Sequence, residues 1–592
     1  MRTPLRPLAH ILPARLRGEN TDRIEAENIR QRHEEMRDRA RARAESRLLF
    51  VAVLFLAGFS VIGARMTVLA SSEAVEPQAS ASSASIVAQR ANIVDRNGRV
   101  LATNLITNSL YAQPQQMIEP ERAVTELVKI FPDLDQKRLL KDFTGERKFL
   151  WVKRKISPEQ QQAVHEIGEP GLLFGPREMR LYPNGRLASH ILGGASFGRE
   201  GVHSAEVIGT AGVEKAFDDY LRDPALEGAP LQLSIDMTIQ SAMRRVLDGG
   251  MKLMNAKGAT AILMKVDTGE VISLVSLPDF DPNTRPRVLT EGDASDSPLF
   301  NRAVQGVYEL GSTFKIFAAA QALELGLVNP NTMIDTKGPM RWGRYKIRDF
   351  HDYGKTLSVT DVIVKSSNIG TARMALNIGA KRQKEFLKGL GFFDPTPVEL
   401  VEAPGAKPLL PPKWSDISTM TISYGHGMAA SPLHLASAYA TVVGGGTLVK
   451  PTLIKARGVT KGPRVMSERT SAMARSMLHQ VVERGTASFA KGTGYAVGGK
   501  TGTADKPKTR GGGYYDDKVI ATFASAFPMN DPEYVLVVTL DEPSENSGKK
   551  PRRTAGWTAV PVAAEIVKRT APLLGLRPIE TGPETGVTTV KY

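Results

Sequence analysis

The sequence predicts an α+β protein in which an antiparallel sheet lies beside a helical lobe, preceded by a separate N-terminal domain and one transmembrane helix. Three observations support this fold class. An uncharged apolar run extends from Leu48 to Ala64 near the N-terminus. Within residues 236–570, strand-like segments lie at both ends and helix-like segments lie between them. Three short polar motifs follow in order in that same stretch, where sheet and helices are expected to meet.

The N-terminal segment is typical of a membrane anchor with a cytoplasmic tail. Residues 1–47 are rich in arginine and contain no lysine, and the positive-inside rule places this tail in the cytoplasm. Residues 48–70 form the predicted transmembrane anchor, with Arg65 reaching back to the interface. A cleaved signal peptide is the alternative, because Leu69-Ala70-Ser71 is small enough to be cut, but the leader is long for that. The Ser/Ala-rich residues 71–85 are a predicted flexible linker.

Two folded domains and a tail are expected after the linker. Residues 86–235 mix short strands, helices and turns without an evident catalytic motif. Residues 231–235 predict a strand that runs into a helix, where the second domain, residues 236–570, begins. That domain is expected to contain a hairpin around Asp267-Thr268-Gly269, a mobile loop over residues 505–518 and a closing helix over residues 559–570. Residues 571–592 are a C-terminal tail.

The first motif is Ser312-Thr313-Phe314-Lys315, which opens a long apolar helix pattern. Ser312 is therefore expected in the first turn, where free N–H groups and the helix dipole favour negative charge. Lys315 follows by three residues, so its amine shares a helix face with the serine hydroxyl. Its apolar surroundings are expected to lower its pKa and make it a neutral base. Ser-x-x-Lys also occurs at Ser488 and Ser547, which are better explained as ordinary surface serines.

The second and third motifs are Ser366-Ser367-Asn368 and Lys500-Thr501-Gly502-Thr503. The second is expected in a turn between helices, where a hydroxyl and an amide could pass a proton and hold a peptide. The third follows Gly498 and Gly499 on a predicted edge strand, and these glycines with Gly502 would let an extended peptide approach the backbone. The N–H groups of Ser312 and Thr503 are candidates for an oxyanion hole.

With these three motifs in order, the chain resembles the class B penicillin-binding proteins, and among them the division-specific (septal) peptidoglycan D,D-transpeptidases. The resemblance covers roughly residues 86–570 and implies the penicillin-binding transpeptidase fold. In the N-terminal domain, which such proteins use as a pedestal or dimerisation domain, it includes Arg90-Ala91-Asn92-Ile93-Val94-Asp95, Arg180-Leu181-Tyr182-Pro183 and Gly212-Val213-Glu214-Lys215. In the second domain it includes Ser423-Tyr424-Gly425-His426-Gly427 and Asp541-Glu542-Pro543.

The resemblance implies a role for each motif residue. Ser312 would be the nucleophile, Lys315 its base and Ser366 a proton relay. Asn368, Lys500, Thr501, Gly502 and Thr503 would bind the substrate, with Asn368, Lys500 and Thr503 also counted among the catalytic residues. The substrate would be the D-Ala-D-Ala end of a peptidoglycan stem peptide, and β-lactam antibiotics would acylate the same serine.

The resemblance also implies a location and partners. A single-pass protein of the inner (cytoplasmic) membrane would carry its catalytic domain in the periplasm. It would act with a membrane glycosyltransferase and other division proteins, and no cofactor is implied. Alternatives with the same motifs are an elongation-specific transpeptidase, a carboxypeptidase and a β-lactamase. A non-catalytic division scaffold and a β-lactam sensor are the non-enzymatic alternatives.

Composition excludes several other classes. The chain of 592 residues contains no cysteine, so a thiolate nucleophile and a disulfide framework are excluded. Its nine histidines show no metal-ligand spacing, and we expect no metal site. The net charge of +15 is best explained by a solvated basic surface. No motif of a nucleic-acid-binding protein accompanies that charge, so no nucleic-acid partner is expected.

Overall fold

A long N-terminal helix dominates the first of two compact units, which spans residues 1–86. The computed structural model describes residues 10–71, 90–200, 205–456, 458–459, 462–508 and 512–578. A short helix α1 (Ile11–Leu16) precedes α2 (Thr21–Ser71), which runs without interruption through the predicted anchor. By length and composition α2 can cross a membrane. Apart from Ser71, the predicted linker 71–85 lies outside the described residues, as do residues 579–592 of the predicted tail.

The second unit, residues 87–592, begins with a mixed domain built on a five-stranded sheet. The sheet order is β3-β2-β1-β7, and β4 pairs with the other edge of β2. Helices α3, α4 and α5 supply much of a separate apolar core that packs against β2 and β3. The elements are β1 (Ile93–Val94), β2 (Val100–Ala112), α3 (Pro120–Ile130), α4 (Gln136–Phe143), β3 (Leu150–Ile156), α5 (Pro158–Glu166), β4 (Leu172–Leu181), α6 (Ser189–Leu192), β5 (Gly194–Glu200), β6 (Ala205–Ala211), α7 (Gly212–Ala216), α8 (Asp218–Arg222) and β7 (Leu231–Gln232).

The sequence signatures of this domain meet in one buried ion network. Glu214 accepts hydrogen bonds from Arg90 at 2.8 Å and from Arg180 at 2.7 Å, and Tyr182 donates to the same carboxylate at 3.3 Å. Arg90 also donates to Asp218 at 2.7 Å. Because buried charges need partners, these signature residues balance one another's charges inside the domain.

The two domains are joined through backbone hydrogen bonds. The predicted strand over residues 231–235 is present as β7, but it pairs in parallel with β1 of the N-terminal domain. The chain then enters α9 (Met237–Leu253), whose first turn is capped by the Asp236 carboxylate. The strand that leads into the second domain is therefore part of the first domain's sheet.

The second domain contains a five-stranded antiparallel sheet in the order β14-β15-β16-β8-β9. Every residue of β9 and β16 is buried, which requires cover on both faces. Helices α9 and α17 pack against each other and against the sheet. Helix α15 (Pro432–Val443) also contacts the sheet, and α16 (Glu468–Arg484) packs against α15. The elements are β8 (Gly258–Lys265), β9 (Val271–Leu277), β14 (Gly498–Pro507), β15 (Tyr514–Phe527), β16 (Tyr534–Asp541) and α17 (Ala559–Thr570).

A helical lobe lies between β9 and β14 in sequence. Serine N-caps, readable in the sequence, begin α11, α12, α14, α15 and α16. Two small antiparallel sheets interrupt the helices: β10 pairs with β13, and β11 and β12, which lie between them in sequence, form a hairpin. The elements are α10 (Lys315–Glu324), β10 (Met333–Asp335), β11 (Met340–Trp342), β12 (Tyr345–Ile347), β13 (Thr356–Ser358), α11 (Val359–Val364), α12 (Asn368–Ile378), α13 (Ala380–Gly389), α14 (Asp416–Ser423), α15 (Pro432–Val443) and α16 (Glu468–Arg484).

The loop predicted over residues 505–518 is wrong in extent. Strand β14 continues to Pro507 and β15 begins at Tyr514, so most of that stretch is a hairpin. Lys506 stabilises the extended strand, because its ammonium group lies 2.7 Å from Asp541 and 2.9 Å from Glu542 at the end of β16. Residues 509–511 at the hairpin end lie outside the described residues. The predicted hairpin around Asp267 and the closing helix over residues 559–570 are confirmed.

Candidate active site

Ser312 lies in a 3-10 turn that leads directly into α10. The turn spans Gly311–Phe314, and the α-helix starts only at Lys315. The prediction that Ser312 occupies the first α-helical turn is therefore off by one short 3-10 turn. Ser312 is partly exposed, whereas Lys315 and the eight residues that follow it in α10 are buried. The serine is thus accessible at the end of a helix that is rigidly held in the core.

Packing holds this turn in place from behind. Tyr439 of α15 donates a hydrogen bond to the Thr313 carbonyl at 2.8 Å, and its own side chain is fully buried. Phe314 and Phe317 contact Phe392 with ring centroids 4.9 and 5.5 Å apart. An aromatic cluster of this kind leaves little freedom to the backbone that carries the serine.

Three glycines bring flanking segments against the turn. A Cβ atom at Gly502 would lie 2.2 Å from the Leu310 carbonyl oxygen, and one at Gly425 would lie 1.9 Å from the Gly311 oxygen. A Cβ at Gly311, which has φ of 56°, would lie 2.8 Å from the Thr503 oxygen. Only glycine fits at these contacts. The turn therefore lies directly against strand β14 on one side and against the segment around Gly425 on the other.

The glycine prediction was right about close approach. At Gly502 the protein's own serine turn occupies the space where a side chain would lie. Gly499 faces the neighbouring strand at Ala524, and Gly498 faces Met529. These glycines let strand β14 pack closely against the turn and the sheet. Docking of an extended peptide along the free edge of β14 stays a prediction.

The second motif forms a tight turn between α11 and α12, as predicted. Ser366 has φ of 62°, a left-handed conformation that is uncommon for a serine. The Lys315 ammonium nitrogen lies 2.5 Å from the Ser366 carbonyl oxygen and 3.0 Å from its hydroxyl oxygen. The strained backbone thus directs both polar groups of Ser366 at the first-motif lysine.

The third motif reaches the same hydroxyl from the opposite side. Lys500 Nζ lies 3.0 Å from Ser366 Oγ and 3.1 Å from the Thr501 carbonyl oxygen. A hydroxyl oxygen has two lone pairs and one proton. With both lone pairs facing lysine nitrogens, the Ser366 proton remains available to a third group. The structure therefore brings together Lys315, Ser366 and Lys500 around one oxygen atom.

Both lysines are fully buried, and burial lowers both pKa values. The pKa of Lys315 lies well below its ordinary value, mainly because of burial and further because of the neighbouring Lys500 charge, while Asp349 opposes the shift. Burial lowers the pKa of Lys500 to about 7. Burial and the neighbouring Lys500 charge thus disfavour the charged form of Lys315, while its role as the base stays a prediction.

Asp349, which sequence reasoning missed, organises the second motif. One of its carboxylate oxygens accepts hydrogen bonds from the Asn368 and Ile369 backbone N–H groups at 2.6 and 3.0 Å. The other accepts from the Ser367 hydroxyl at 2.6 Å. A carboxylate at a helix N-terminus is stabilising. No motif spacing indicates this residue, because it lies on a loop that returns to α12 only in the folded chain.

The remaining predicted site residues have protein partners of their own. Asn368 donates its side-chain amide N–H to the Arg348 carbonyl at 2.9 Å, which leaves its carbonyl oxygen for another ligand. Thr501 shares a hydroxyl hydrogen bond of 2.7 Å with Thr486. The Thr503 hydroxyl accepts from the Ala555 N–H at 3.0 Å and keeps its own proton to donate.

The other two Ser-x-x-Lys pairs lack this setting. Lys491, the partner of Ser488, is exposed and lies 2.9 Å from Glu483. Ser547 and Lys550 are both exposed. Neither lysine is buried in the way that lowers the pKa of Lys315.

Comparison with known proteins then decides the family. Residues 259–568 match the penicillin binding protein transpeptidase domain, and residues 85–224 match the penicillin-binding protein dimerisation domain. The chain belongs to the class B, division-specific penicillin-binding proteins. All three motifs of this penicillin-binding protein lie inside the matched transpeptidase domain, and the expected fold class is confirmed.

Relatives of this penicillin-binding protein cover most of its length. It is 36% identical to the probable peptidoglycan D,D-transpeptidase FtsI of Caulobacter vibrioides, over 82% of each chain. It is 31% identical to the probable peptidoglycan D,D-transpeptidase PenA of Neisseria meningitidis, over 83% of this chain and 85% of that one. It is 29% identical to the stage V sporulation protein D of Bacillus subtilis, over 83% and 79%.

Proposed function

We propose that this protein crosslinks peptidoglycan stem peptides at the division septum, as a D,D-transpeptidase that forms an acyl-enzyme on Ser312. The observation that carries the proposal is the convergence of two buried lysines on Ser366, next to an accessible serine on a rigid turn. The names of the relatives, FtsI and PenA, support the same reaction.

Lys315 is proposed as the base of acylation. Burial lowers the pKa of its amine well below the ordinary value and favours the neutral form, which can take the Ser312 proton as the oxygen attacks the carbonyl between the two D-Ala residues. An arginine could not do this, because a guanidinium does not lose its proton. Ser366, which accepts from both lysines, then passes a proton to the departing D-Ala.

The oxyanion is proposed to bind the backbone N–H groups of Ser312 and Thr503. Ser312 lies where a helix begins, so its N–H belongs to a turn with unpaired donors. Thr503 lies on the edge strand β14, which Gly311 and Gly502 seat against the serine turn. Loss of one such donor typically costs about 100- to 1,000-fold in rate.

Lys500, Thr501 and Thr503 are proposed to receive the terminal carboxylate of the substrate. A carboxylate beside Lys500 raises the pKa of that amine above about 7 and holds it charged, which gives a charge-assisted pair. The Asn368 carbonyl oxygen is oriented to accept the donor peptide amide. β-Lactams carry both an amide and a carboxylate, and we propose that they occupy the same groups.

For the rest of the chain we propose that residues 48–70 of α2 anchor the protein in the inner membrane, with residues 1–47 in the cytoplasm and residues 86–570 in the periplasm. Residues 86–235 form a pedestal in which the signature side chains serve a buried ion network. Polymerisation of glycan strands then needs a separate membrane glycosyltransferase, and other division proteins complete the assembly.

The test is acylation by a fluorescent penicillin followed by peptide mapping, together with crosslinking of lipid-linked precursor in the presence of a glycosyltransferase. The label is expected on Ser312 alone, and Ser312→Ala should lose both labelling and crosslinking. Ser488→Ala and Ser547→Ala are matched controls from the two other Ser-x-x-Lys pairs and should keep both. A label on Ser488 or Ser547, or crosslinking that survives Ser312→Ala, would overturn the proposal.

A further inference from the structure

The hairpin formed by β11 and β12 presents aromatic and basic side chains to solvent. Residues 341–346, which we call the hairpin tip, read Arg-Trp-Gly-Arg-Tyr-Lys, and all six are exposed. Trp342 is 39% exposed and Tyr345 is 44% exposed. Exposed aromatic side chains beside charged ones are typical of binding surfaces.

The strand register places the two aromatic residues together. Trp342 lies opposite Tyr345, and Met340 lies opposite Ile347. Side chains directly opposite or two residues apart share one face of a hairpin. On that face Met340 and Ile347 are buried in a cluster with Ile369 of α12, so Trp342 and Tyr345 extend the same face beyond the core. The hairpin is anchored at its base and offers an aromatic platform at its end.

The positive charge of the tip is not balanced by acidic residues in the same segment. From residue 337 to residue 348 the chain carries five basic side chains and no acidic one: Lys337, Arg341, Arg344, Lys346 and Arg348. Arg344 lies over the Tyr345 ring at 5.2 Å and donates to its hydroxyl at 3.0 Å. Within the described part of the chain, Arg341, Lys346 and Arg348 form no ion pair. A surface of one charge sign attracts a ligand of the opposite sign.

The base of the hairpin touches the candidate active site. Arg348 follows β12 directly, and its carbonyl accepts the side-chain amide of Asn368. The next residue, Asp349, caps α12. Tyr345 is three residues from Arg348, a distance of about 10 Å along an extended strand. A substrate that extends from the candidate active site past Asn368 along the hairpin therefore reaches the tip about 10 Å further on.

We propose that the hairpin tip is a docking surface for an uncrosslinked peptidoglycan strand. Trp342 and Tyr345 stack on the C–H faces of the sugars. Arg341 and Lys346, which lie opposite each other on the other face of the hairpin, and Arg348 at its base pair with free carboxylates of stem peptides that pass around the edge of the hairpin. The inference rests on the proposed function and adds to it a surface that selects polymeric substrate. An anionic membrane or an acidic protein would match the charge, but neither accounts for the position of the tip beside Asn368.

The test measures binding of fluorescent uncrosslinked strands to full-length protein in detergent, in a Ser312→Ala background that prevents turnover. Trp342→Ala with Tyr345→Ala should weaken strand binding about tenfold, the sum expected for two aromatic contacts. Trp342→Tyr with Tyr345→Phe should restore most of it. Arg341→Ser with Lys346→Ser should weaken binding and reduce its sensitivity to salt.

A control removes the same charge elsewhere. Arg186 and Arg245 are exposed on another part of the second unit, and Arg186→Ser with Arg245→Ser should leave strand binding unchanged. Strand binding that is unchanged in both hairpin variants would overturn the inference. So would hairpin variants that lose binding to anionic vesicles while they keep binding to strands.

Acylation separates this inference from the proposed function. A penicillin reacts at Ser312 itself and needs no contact with the tip. The ratio of strand binding, measured in the Ser312→Ala background, to penicillin acylation, measured with Ser312 intact, should therefore fall about tenfold in the aromatic variant. If wild-type Ser312 is not acylated, the proposed function fails whatever the hairpin does. If acylation and crosslinking are normal and the ratio does not change, only the docking surface is wrong.

Discussion

Asp349→Asn is expected to disable the second motif without removing Ser312 or either lysine. The native carboxylate accepts three hydrogen bonds, from the Asn368 N–H, the Ile369 N–H and the Ser367 hydroxyl. In asparagine one of the two oxygens becomes an NH₂ group, which cannot accept. The new NH₂ group then faces either the two backbone N–H groups of α12 or the Ser367 hydroxyl, and the hydrogen bonds to that side are lost. The turn that carries Ser366 is therefore capped less well.

The size of the effect follows from these contacts. A hydrogen bond to a charged group contributes about 1.5–3 kcal/mol, and a carboxylate at a helix N-terminus adds about 0.3–1 kcal/mol. The turn is therefore destabilised by about 2–4 kcal/mol. Since 1.36 kcal/mol corresponds to a factor of ten, acylation should slow by roughly 30- to 900-fold.

The pH dependence distinguishes this cause from a change in the base. Asp349 raises the pKa of Lys315, so its removal lowers that pKa further and favours the neutral form of Lys315 even more. The loss of rate should then be similar from about pH 6 to pH 8. If Asp349 acted by tuning Lys315, the variant would change the shape of the pH profile.

The assay is the second-order rate of acylation by a fluorescent penicillin, with Asp352→Asn as the matched control. Asp352 lies on the same loop, where it accepts the Gly354 N–H at 3.0 Å and makes no contact with the second motif. The control should acylate at close to the normal rate. An Asp349→Asn protein that acylates within about twofold of wild type would refute the capping argument, since even 1.36 kcal/mol corresponds to tenfold.

Four further outcomes are expected. Lys315→Arg should fold yet acylate at least about 100-fold more slowly, and near-normal acylation would move the base role to another group. For ligands with a carboxylate, the rate of acylation should fall as the pH rises above about 7, because Lys500 is a cation only below its pKa. A methyl ester of the same ligand should lack this decline. An equal decline for the ester would refute the proposal that Lys500 binds the carboxylate. Glu214→Gln should lower the free energy of unfolding by about 3–5 kcal/mol, measured by denaturant melts, because it removes the carboxylate that two buried arginines share; an unchanged midpoint would mean that the ion network contributes nothing. External protease on spheroplasts should degrade the chain beyond about residue 71 and leave the arginine-rich tail with the membrane; spontaneous release of a fragment from residue 71 onward would instead indicate signal cleavage.

The parts of the site that the sequence predicts are those that rest on local spacing. Ser312 and Lys315 are three residues apart where an apolar helix begins, and this spacing alone predicts that both lie on one side of the turn that leads into α10. The serine caps of the helices in the lobe are equally local. Each of these features needs only a few consecutive residues, so the folded chain has little opportunity to change it.

The parts that the sequence does not predict depend on contacts between distant segments. Asp349 caps α12 from a separate loop, and Tyr439 supports the Thr313 carbonyl from α15. The glycines show the same difference between local and distant features. The sequence predicts that another segment approaches Gly502 closely, but it does not predict that this segment is the one around Leu310. Strand pairing also extends β14 through residues 505–507, where local composition predicts a loop.

The arrangement of the two lysines explains how one site can use both a base and a cation. Burial lowers the pKa of each amine, and both amines contact Ser366 Oγ. It is therefore unfavourable for Lys315 and Lys500 to be charged at the same time. A carboxylate-bearing substrate supplies the missing anion next to Lys500, on the side of the strand that carries Thr501 and Thr503. That carboxylate favours the charged form of Lys500, and the Lys500 charge in turn keeps the pKa of Lys315 low. In the proposed mechanism, Lys500, which binds the carboxylate, therefore holds the proton, and Lys315 stays free to accept one from Ser312.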